Sequence, residues 1–268
     1  MLVHGWCCER SSMITLKQEF NAEHRIVEVD LRGHGDSLEV TDDGWMGAGS
    51  RRQNADGPLP QALLGVRIED YGHDLWKICR EARLHRPILI GHSMGALAVL
   101  ATLAGKHHGP HAPRAAVLLD PAPVVNRKAK AFWAKAYPDI SRDLSGQWRR
   151  EFARSLFLPT DRASRIALIE SMAHTRADVA AGAAKAMAEF DGASALSNVE
   201  CPLLVLQANT AEHQIKQLAR EHAVSLTLGQ TVGVGHFHHL EAPEQVMPMI
   251  HKWMEVTLEM PRSAQSLV

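Results

Sequence analysis

The run Pro87-Ile88-Leu89-Ile90-Gly91-His92-Ser93-Met94-Gly95-Ala96-Leu97-Ala98 constrains this chain more tightly than any other stretch of it. A short aliphatic run breaks into Gly-x-Ser-x-Gly, and small, helix-forming residues follow at once. This is the layout of a strand-to-helix turn that lifts one serine clear of the backbone. So sharp a turn holds the serine in a costly φ/ψ region. Side chains two residues to either side would collide with the strand and the helix, so glycine takes both places. The helix that starts there aims free N–H groups and its positive dipole end at any anion formed beside Ser93. The plainer reading is a glycine-rich turn that happens to hold a serine. The strand pattern before it and the helix pattern after it favour a nucleophile.

Arg25–Asp30, Ala115–Asp120 and Pro202–Gln207 read as further buried strands, like Pro87–Gly91. Each is a short aliphatic or β-branched run bounded by turn residues, with helical patterns in between. Alternating elements with continuously apolar strands predict an α/β fold, a mostly parallel sheet covered by helices on both faces. Ligands of such sheets gather at the carboxyl ends of the strands. Asp30 to Ser37, Ser93, Asp120 and Asn209 to Glu212 all follow predicted strand ends. The length of 268 residues, 46% of them hydrophobic, suits one such domain with an inserted sub-domain. The stretch 40–66 is polar and rich in glycine and proline and reads as a long surface loop. From 122 to 199 the pattern is wholly helical and amphipathic, which predicts a helical cap between two core parts, 1–121 and 200–268. Phe132, Trp133, Trp148, Phe152, Phe157, Met172 and Met187 read as the cap's own core more readily than as ligand contacts, although ligand sites are mostly apolar.

A formal net charge of −1 points to no nucleic-acid or acidic-membrane partner. The apolar stretches are shorter than a bilayer span, and Met1 to Trp6 carries no leader pattern. Four cysteines without regular spacing (Cys7, Cys8, Cys79 and Cys201) argue against a disulfide framework and fit a reducing cytoplasm. Adjacent Cys7 and Cys8 read as free thiols rather than a redox pair. The expected partner is a small-molecule substrate, with no metal and no cofactor.

A hydroxyl nucleophile needs a base within hydrogen-bond reach, and histidine titrates where a base is useful. In Thr231-Val232-Gly233-Val234-Gly235-His236-Phe237-His238-His239-Leu240-Glu241-Ala242-Pro243, His236 follows Gly-x-Gly, where a tight loop presents an imidazole. His238 and His239, like His107, His108 and His111, lack a metal-ligand spacing and read as solvated or loop residues. His4-Gly5-Trp6 ends the first predicted strand. The backbone N–H groups of Trp6 and Met94 are the natural pair to stabilise an oxyanion. The Trp6 ring and His92 are the candidate substrate contacts, simple packing being the other reading of the ring.

His4-Gly5-Trp6, Asp30-x-Arg32-Gly33-His34-Gly35-x-Ser37, Gly91-His92-Ser93-Met94-Gly95 and Gly235-His236-Phe237-x-His239-Leu240-Glu241-x-Pro243, in this order, resemble the α/β-hydrolase superfamily. The likeness spans the chain apart from the 40–66 loop and the cap. It implies an acyl-enzyme mechanism with Ser93 as nucleophile, His236 as base, and Trp6 and Met94 donating to the oxyanion. Two departures stand out. The family has two further strands before its His-Gly loop, and here Leu2-Val3 comes first, which would leave a strand edge exposed. The family also takes its acid from a Gly-x-x-Asp turn after the strand matching Pro202–Gln207. Here that turn reads Ala208-Asn209-Thr210-Ala211, with Glu212 one position late. Asp120, after Ala115–Leu119, is the preferred acid, as in some branches of the family, and Glu212 is the alternative.

An acid on that earlier strand, together with Trp6-Cys7 and the acid-poor 208–212 turn, also resembles the cofactor-free dioxygenases that open 3-hydroxy-4-oxoquinoline rings. There a His–Asp dyad deprotonates the substrate and the serine is secondary. The elbow and the Gly-His-Phe-x-His-Leu-Glu ending favour a hydrolase. A ligand receptor on a hydrolase scaffold is the third reading, since function lives in the site rather than the fold.

Overall fold

The computed structural model describes residues 1–37, 40–41, 44–45, 65–122, 127–161, 165–208, 221 and 225–259. Its main sheet runs β2-β1-β5-β6-β7-β8 with every neighbouring pair parallel. The strands are β1 (Leu2–Val3), β2 (Glu28–Val29), β5 (Ile88–His92), β6 (Ala115–Leu119), β7 (Leu203–Gln207) and β8 (Leu226–Gln230). A separate antiparallel pair, β3 (Val40–Thr41) with β4 (Gly44–Trp45), opens the 40–66 stretch. Most of the rest of that stretch lies outside the described residues.

Side chains alternate across a strand, so a continuously apolar strand must meet helices on both sides. Leu2, Ile90, Val117, Leu119, Leu204 and Leu206 point to one face. There they pack on Leu16 and Phe20 of α1 (Ile14–Phe20) and on Val246, Ile250 and Trp253 of α10 (Pro243–Leu258). Val3, Leu89, Leu118, Leu203 and Val205 point to the other face. Their partners there include Tyr71 and Leu75 of α2 (Ile68–Glu81) and Leu97 and Leu100 of α3 (Met94–Ala104).

The chain adds β2 on one side of β1 and then returns to place β5 on the other. The order of connection therefore reverses between β1 and β5, and such a reversal opens a crevice at the strand ends. The loop His4-Gly5-Trp6 leaves β1 there, and Ser93 leaves β5 beside it.

Between β6 and β7 come α4 (Arg127–Arg142), α5 (Gln147–Ser155), α6 (Arg165–His174), α7 (Ala177–Glu189) and α8 (Gly192–Ser197). They form the helical cap insertion, in which α4 packs on α7 and α5 on α6, while α8 returns to α3 of the sheet layer. The alanine-rich face of α7 (Ala180, Ala183, Ala184) brings α4 close. Trp133, Phe157, Met172 and Met187 are buried core, as expected, whereas Phe132 is 45% exposed. Arg149 and Asp143 form a buried ion pair at 3.2 Å. The Arg149 guanidinium also donates to the carbonyls of Asp143 and Ala173.

Two strand expectations change. The run Arg25–Asp30 pairs as β2 over Glu28–Val29 only. β8 carried no sequence expectation, because an edge strand half open to solvent and interrupted by Gly229 lacks a continuous apolar run. On the free side of β2 no described strand pairs, so β2 is an edge.

Leu118 lies fully buried at the centre of the sheet between β5 and β7. Leu118→Ala is expected to lower unfolding free energy in urea by about 2–5 kcal/mol, the range for a core cavity of this kind. A loss below about 1 kcal/mol would show that the neighbouring layer collapses to fill the space.

Candidate active site

Ser93 sits between β5 and α3 with φ 54° and ψ −117°, a conformation that L side chains seldom adopt. Close packing explains why glycines flank it. A Cβ on Gly91 would lie 2.5 Å from the Gly95 carbonyl oxygen, and one on Gly95 would lie 2.3 Å from that of His4. The turn is pinned on both sides. The Ser93 N–H donates to Leu119 at 3.0 Å, and its carbonyl accepts from Ala96 at 3.0 Å and Ala122 at 3.2 Å.

The loop after β1 is set by His4, whose Nδ1–H donates to the Gly5 carbonyl at 2.8 Å while Nε2 accepts from Leu31 N–H at 3.0 Å. One donor and one acceptor require the neutral ring, and burial pushes its pKa down to about 4. Among the described residues, neither the Trp6 N–H nor the Met94 N–H has a hydrogen-bond partner. The first of these donors belongs to the loop after β1, whose Gly5 packs against Ser93, and the second directly follows Ser93. The Trp6 ring is buried: its Nε1–H donates to the Ala180 carbonyl of α7 at 2.9 Å, and it packs against Trp133 at 5.1 Å and Phe152 at 5.4 Å. Ring packing and an uncommitted backbone N–H thus coexist in this residue among the described residues.

The Asp-x-Arg-Gly-His-Gly loop after β2 is a scaffold under the cap. Asp30 accepts the backbone N–H groups of Arg10 and Asp36 and pairs with the Arg10 guanidinium. Arg32 makes a two-pronged bond to Asp74 at 2.6 Å, and the His34 ring lies 5.2 Å from that of His4.

His236 Nδ1 meets Asp120 Oδ2 at 2.5 Å. Asp120 follows β6 with φ 37°, and its other oxygen accepts the Ala208 N–H at 2.9 Å just after β7. Burial alone would raise this carboxyl's pKa. The His236 hydrogen bond and charge, with the Ala208 N–H, outweigh burial and hold it below the usual carboxylate value. Of the two expected acids, Asp120 is therefore placed against the imidazole, and Glu212 lies outside the described residues. With Nδ1 committed to the acid, Nε2 is the ring atom left to move a proton.

Three histidines depart from expectation. The His92 ring is fully buried, and its Nε2–H donates to the His236 carbonyl at 3.0 Å. It supports the base loop and has no surface to offer a substrate. His238 and His239, expected to be solvated, are buried in α9 (His238–Glu241). His238 Nδ1 pairs with Thr231 Oγ1 at 3.1 Å, and His239 Nε2–H donates to the Ser12 carbonyl at 3.0 Å. One satisfied nitrogen each lets a neutral imidazole stay inside. Burial pushes the pKa of His238 down to about 4 and that of His239 to about 3, and drives His92 well down. Elsewhere, His107 stacks on Trp76 at 4.0 Å and His111 bonds the Leu84 carbonyl at 2.8 Å. Cys7 and Cys8 are free and buried, which raises both thiol pKa values, that of Cys8 to about 12.

With this geometry in place, the comparisons with known proteins are direct. Residues 1–248 match the model of the alpha/beta hydrolase family. Among solved structures, the thermophilic esterase from Thermogutta terrifontis is 22% identical with a TM-score of 0.71, covering 95% of this chain and 88% of its own. The esterase from Exiguobacterium antarcticum is 16% identical (TM-score 0.74), covering 95% of this chain and 90% of its own. The enol-lactonase from Burkholderia xenovorans LB400 is 15% identical (TM-score 0.70), covering 94% and 89%. A search by sequence among proteins of curated function finds no match. At such identities the structural likenesses speak for the fold. The chain belongs to the alpha/beta hydrolase family. It is an enzyme of the α/β-hydrolase fold, and no described helix is long and apolar enough to cross a membrane.

The buried histidines set the acid limit of stability. Each stays neutral in the fold while the unfolded chain takes up a proton below about pH 6.5. Their contribution is complete above that pH and is lost as pH falls toward the folded values, about 4 for His4 and His238 and about 3 for His239. Each group contributes a slope of about 1.4 kcal/mol per pH unit in that window. Asp120, whose folded pKa is depressed, adds a loss of the same sign below its unfolded pKa of about 3.9. The urea midpoint is expected to fall steadily from pH 6.5 to pH 4. A flat midpoint over that range would mean that the rings are charged inside the fold.

Proposed function

We propose that this protein is a serine hydrolase of esterase type, acting on a small ester, amide or related acyl substrate through Ser93, His236 and Asp120. The observation that carries the reading is the 2.5 Å contact of His236 Nδ1 with Asp120, on the same strand-end rim as the strained Ser93. His236 lies close to the elbow, its ring centroid 4.5 Å from that of His92, the residue before Ser93.

In this reading Nε2 of His236 takes the Ser93 proton as Oγ bonds to the acyl carbon. The carbonyl π electrons move to oxygen, and the N–H groups of Trp6 and Met94 receive that oxyanion. His236 then gives its proton to the departing alkoxide or amine as the carbon–heteroatom bond breaks, leaving an acyl-Ser93 ester. Water, deprotonated by the same nitrogen, attacks this ester and releases the acid and the serine. Asp120 stabilises the imidazolium at both stages and fixes the tautomer that leaves Nε2 free. The 122–199 segment is the natural source of substrate selectivity, because its helices carry the aromatic rings beside Trp6.

Ser93→Ala is expected to remove labelling by a fluorophosphonate probe and to lower kcat on short p-nitrophenyl esters by at least about 10³-fold. Retained labelling in that variant would remove Ser93 from the role. Asp120→Asn is expected to cost on the order of 10³–10⁴ in kcat, because the wrong tautomer is then favoured. A loss under tenfold would place the acid elsewhere.

One observation favours a second reading, a cofactor-free dioxygenase acting on a 3-hydroxy-4-oxoquinoline. The acid at the base stands at the end of β6 rather than after β7. Here the His236–Asp120 pair would deprotonate the substrate for direct attack on dioxygen. Consumption of a 3-hydroxy-4-quinolone with stoichiometric oxygen uptake and carbon monoxide release, undiminished in Ser93→Ala, would establish it over the hydrolase. Turnover at the same rate without oxygen would reject it.

A further inference from the structure

The loop that carries His236 is held from the cap side by one short segment, residues 156–161, just after α5. The Leu156 carbonyl accepts the His236 N–H itself at 3.0 Å. The Asp161 carboxylate accepts the Gly235 N–H, with Oδ2 at 3.1 Å and Oδ1 at 3.4 Å. Thr160 Oγ1 donates to the Gly233 carbonyl at 3.3 Å, and the Phe157 ring stacks on Phe237 with centroids 5.0 Å apart. Four of the five positions from Gly233 to Phe237, all but Val234, are thereby gripped by one stretch of the cap. There is no slack between the two: a Cβ on Gly235 would lie 2.6 Å from Asp161 Oδ2 and 2.7 Å from the Leu156 oxygen.

Asp161 is the unusual member. It is only 4% exposed, and a buried carboxylate is expensive unless donors surround it. Oδ2 also accepts the Leu158 N–H at 2.8 Å, and the Asp161 N–H returns to the Leu158 carbonyl at 3.1 Å. That local pair closes a turn, and serine or asparagine makes such turns without burying a charge. The bond to Gly235, 74 residues further along the chain, is the one that a mere turn does not need.

We propose that Asp161 is a positioning residue for the base: by holding the N–H of the residue before His236, it keeps the imidazole seated on Asp120, and so couples the cap to the proton-transfer group. The kinetic consequence rests on the hydrolase reading above, whereas the seating of the imidazole does not.

The test compares Asp161→Ser with Asp161→Asn. Serine can close the 158–161 turn but is too short to reach Gly235 as well. Asparagine, with its amide oxygen in the Oδ2 place, can accept both N–H groups without the charge. Two readouts serve: kcat and KM on a short p-nitrophenyl ester, and the low-field proton resonance of the His236 Nδ1–H···Asp120 bond, identified by its loss in His236→Gln. For Asp161→Ser the expected result is a kcat about 10- to 100-fold lower with KM within about twofold, since misplacing a catalytic group costs rate rather than binding. Its low-field resonance is expected to broaden or disappear, at a melting temperature close to that of the parent. Asp161→Asn is expected to restore the resonance and to bring kcat to within about fivefold of the parent. A folded Asp161→Ser protein with parental kcat and an intact resonance overturns the proposal. So does an Asp161→Asn variant as impaired as the serine one, and so does a loss that tracks a lowered melting temperature or the failure of both variants to fold, each of which makes the residue structural. Should the parent hydrolyse no ester, the hydrolase reading fails and the resonance still decides the role of Asp161.

Discussion

The site depends on a contact that leaves no room for a methyl group. Because Gly95 lacks a Cβ, α3 starts directly against the carbonyls of Val3 and His4 at the end of β1. That approach brings the elbow serine and the His-Gly-Trp loop into one crevice, at the point where the order of strands reverses. It also leaves the N–H groups of Trp6 and Met94 on either side of Ser93 without partners of their own among the described residues. The strain at Ser93 is sustained by its surroundings, since its N–H and carbonyl are both tied to the end of β6 or its successor residues. The strand that supports Ser93 is thus also the one that Asp120 follows. Ser93, Met94 and Asp120 directly follow the ends of central strands, whereas Trp6 and His236 are carried on loops.

Around that loop the protein uses desolvation to sort its histidines. His92, His236, His238 and His239 lie close together, and charging several at once would be prohibitive. Three of them are buried with one nitrogen bonded, and burial holds each neutral far below the pH at which a free imidazole titrates. Of these four, His236 is the one paired with a carboxylate, so a positive charge formed there meets a countercharge at once. Within this cluster the neighbour of each ring therefore decides whether it is held neutral by burial or faces a carboxylate.

How much of this could be read in advance follows from how local each feature is. The elbow is written in five consecutive residues, because its geometry is a property of one turn, and both glycines are demanded by atoms within or beside it. The central strands were legible because burial on both faces leaves an unbroken apolar run. β8 was not, since an edge strand keeps one side in water and has no such run. The competition between Asp120 and Glu212 could not be resolved by counting along the chain. Asp120 reaches its histidine across 116 residues, and its second oxygen depends on the Ala208 N–H just after β7. His238 and His239 misled for a related reason: a polar residue in a polar-looking loop is assigned to solvent unless its buried partner, here Thr231 or the Ser12 carbonyl, is known.

The cap completes the arrangement from the opposite side. Two of its contacts reach the crevice: the Trp6 indole, bonded to α7, and the His236 loop, bonded to residues 156–161. The first contact joins the cap to the loop after β1 and the second joins it to the His236 loop, while Ser93 and Asp120 follow strands of the sheet. A displacement of the cap relative to the sheet would therefore change the spacing between Trp6, His236 and Ser93, and under the proposed mechanism these groups act together. Catalytic groups need alignment to well under an ångström. Under that mechanism, cap packing, including the buried pair of Arg149 in α5 with Asp143, bears on rate as well as on which substrates enter.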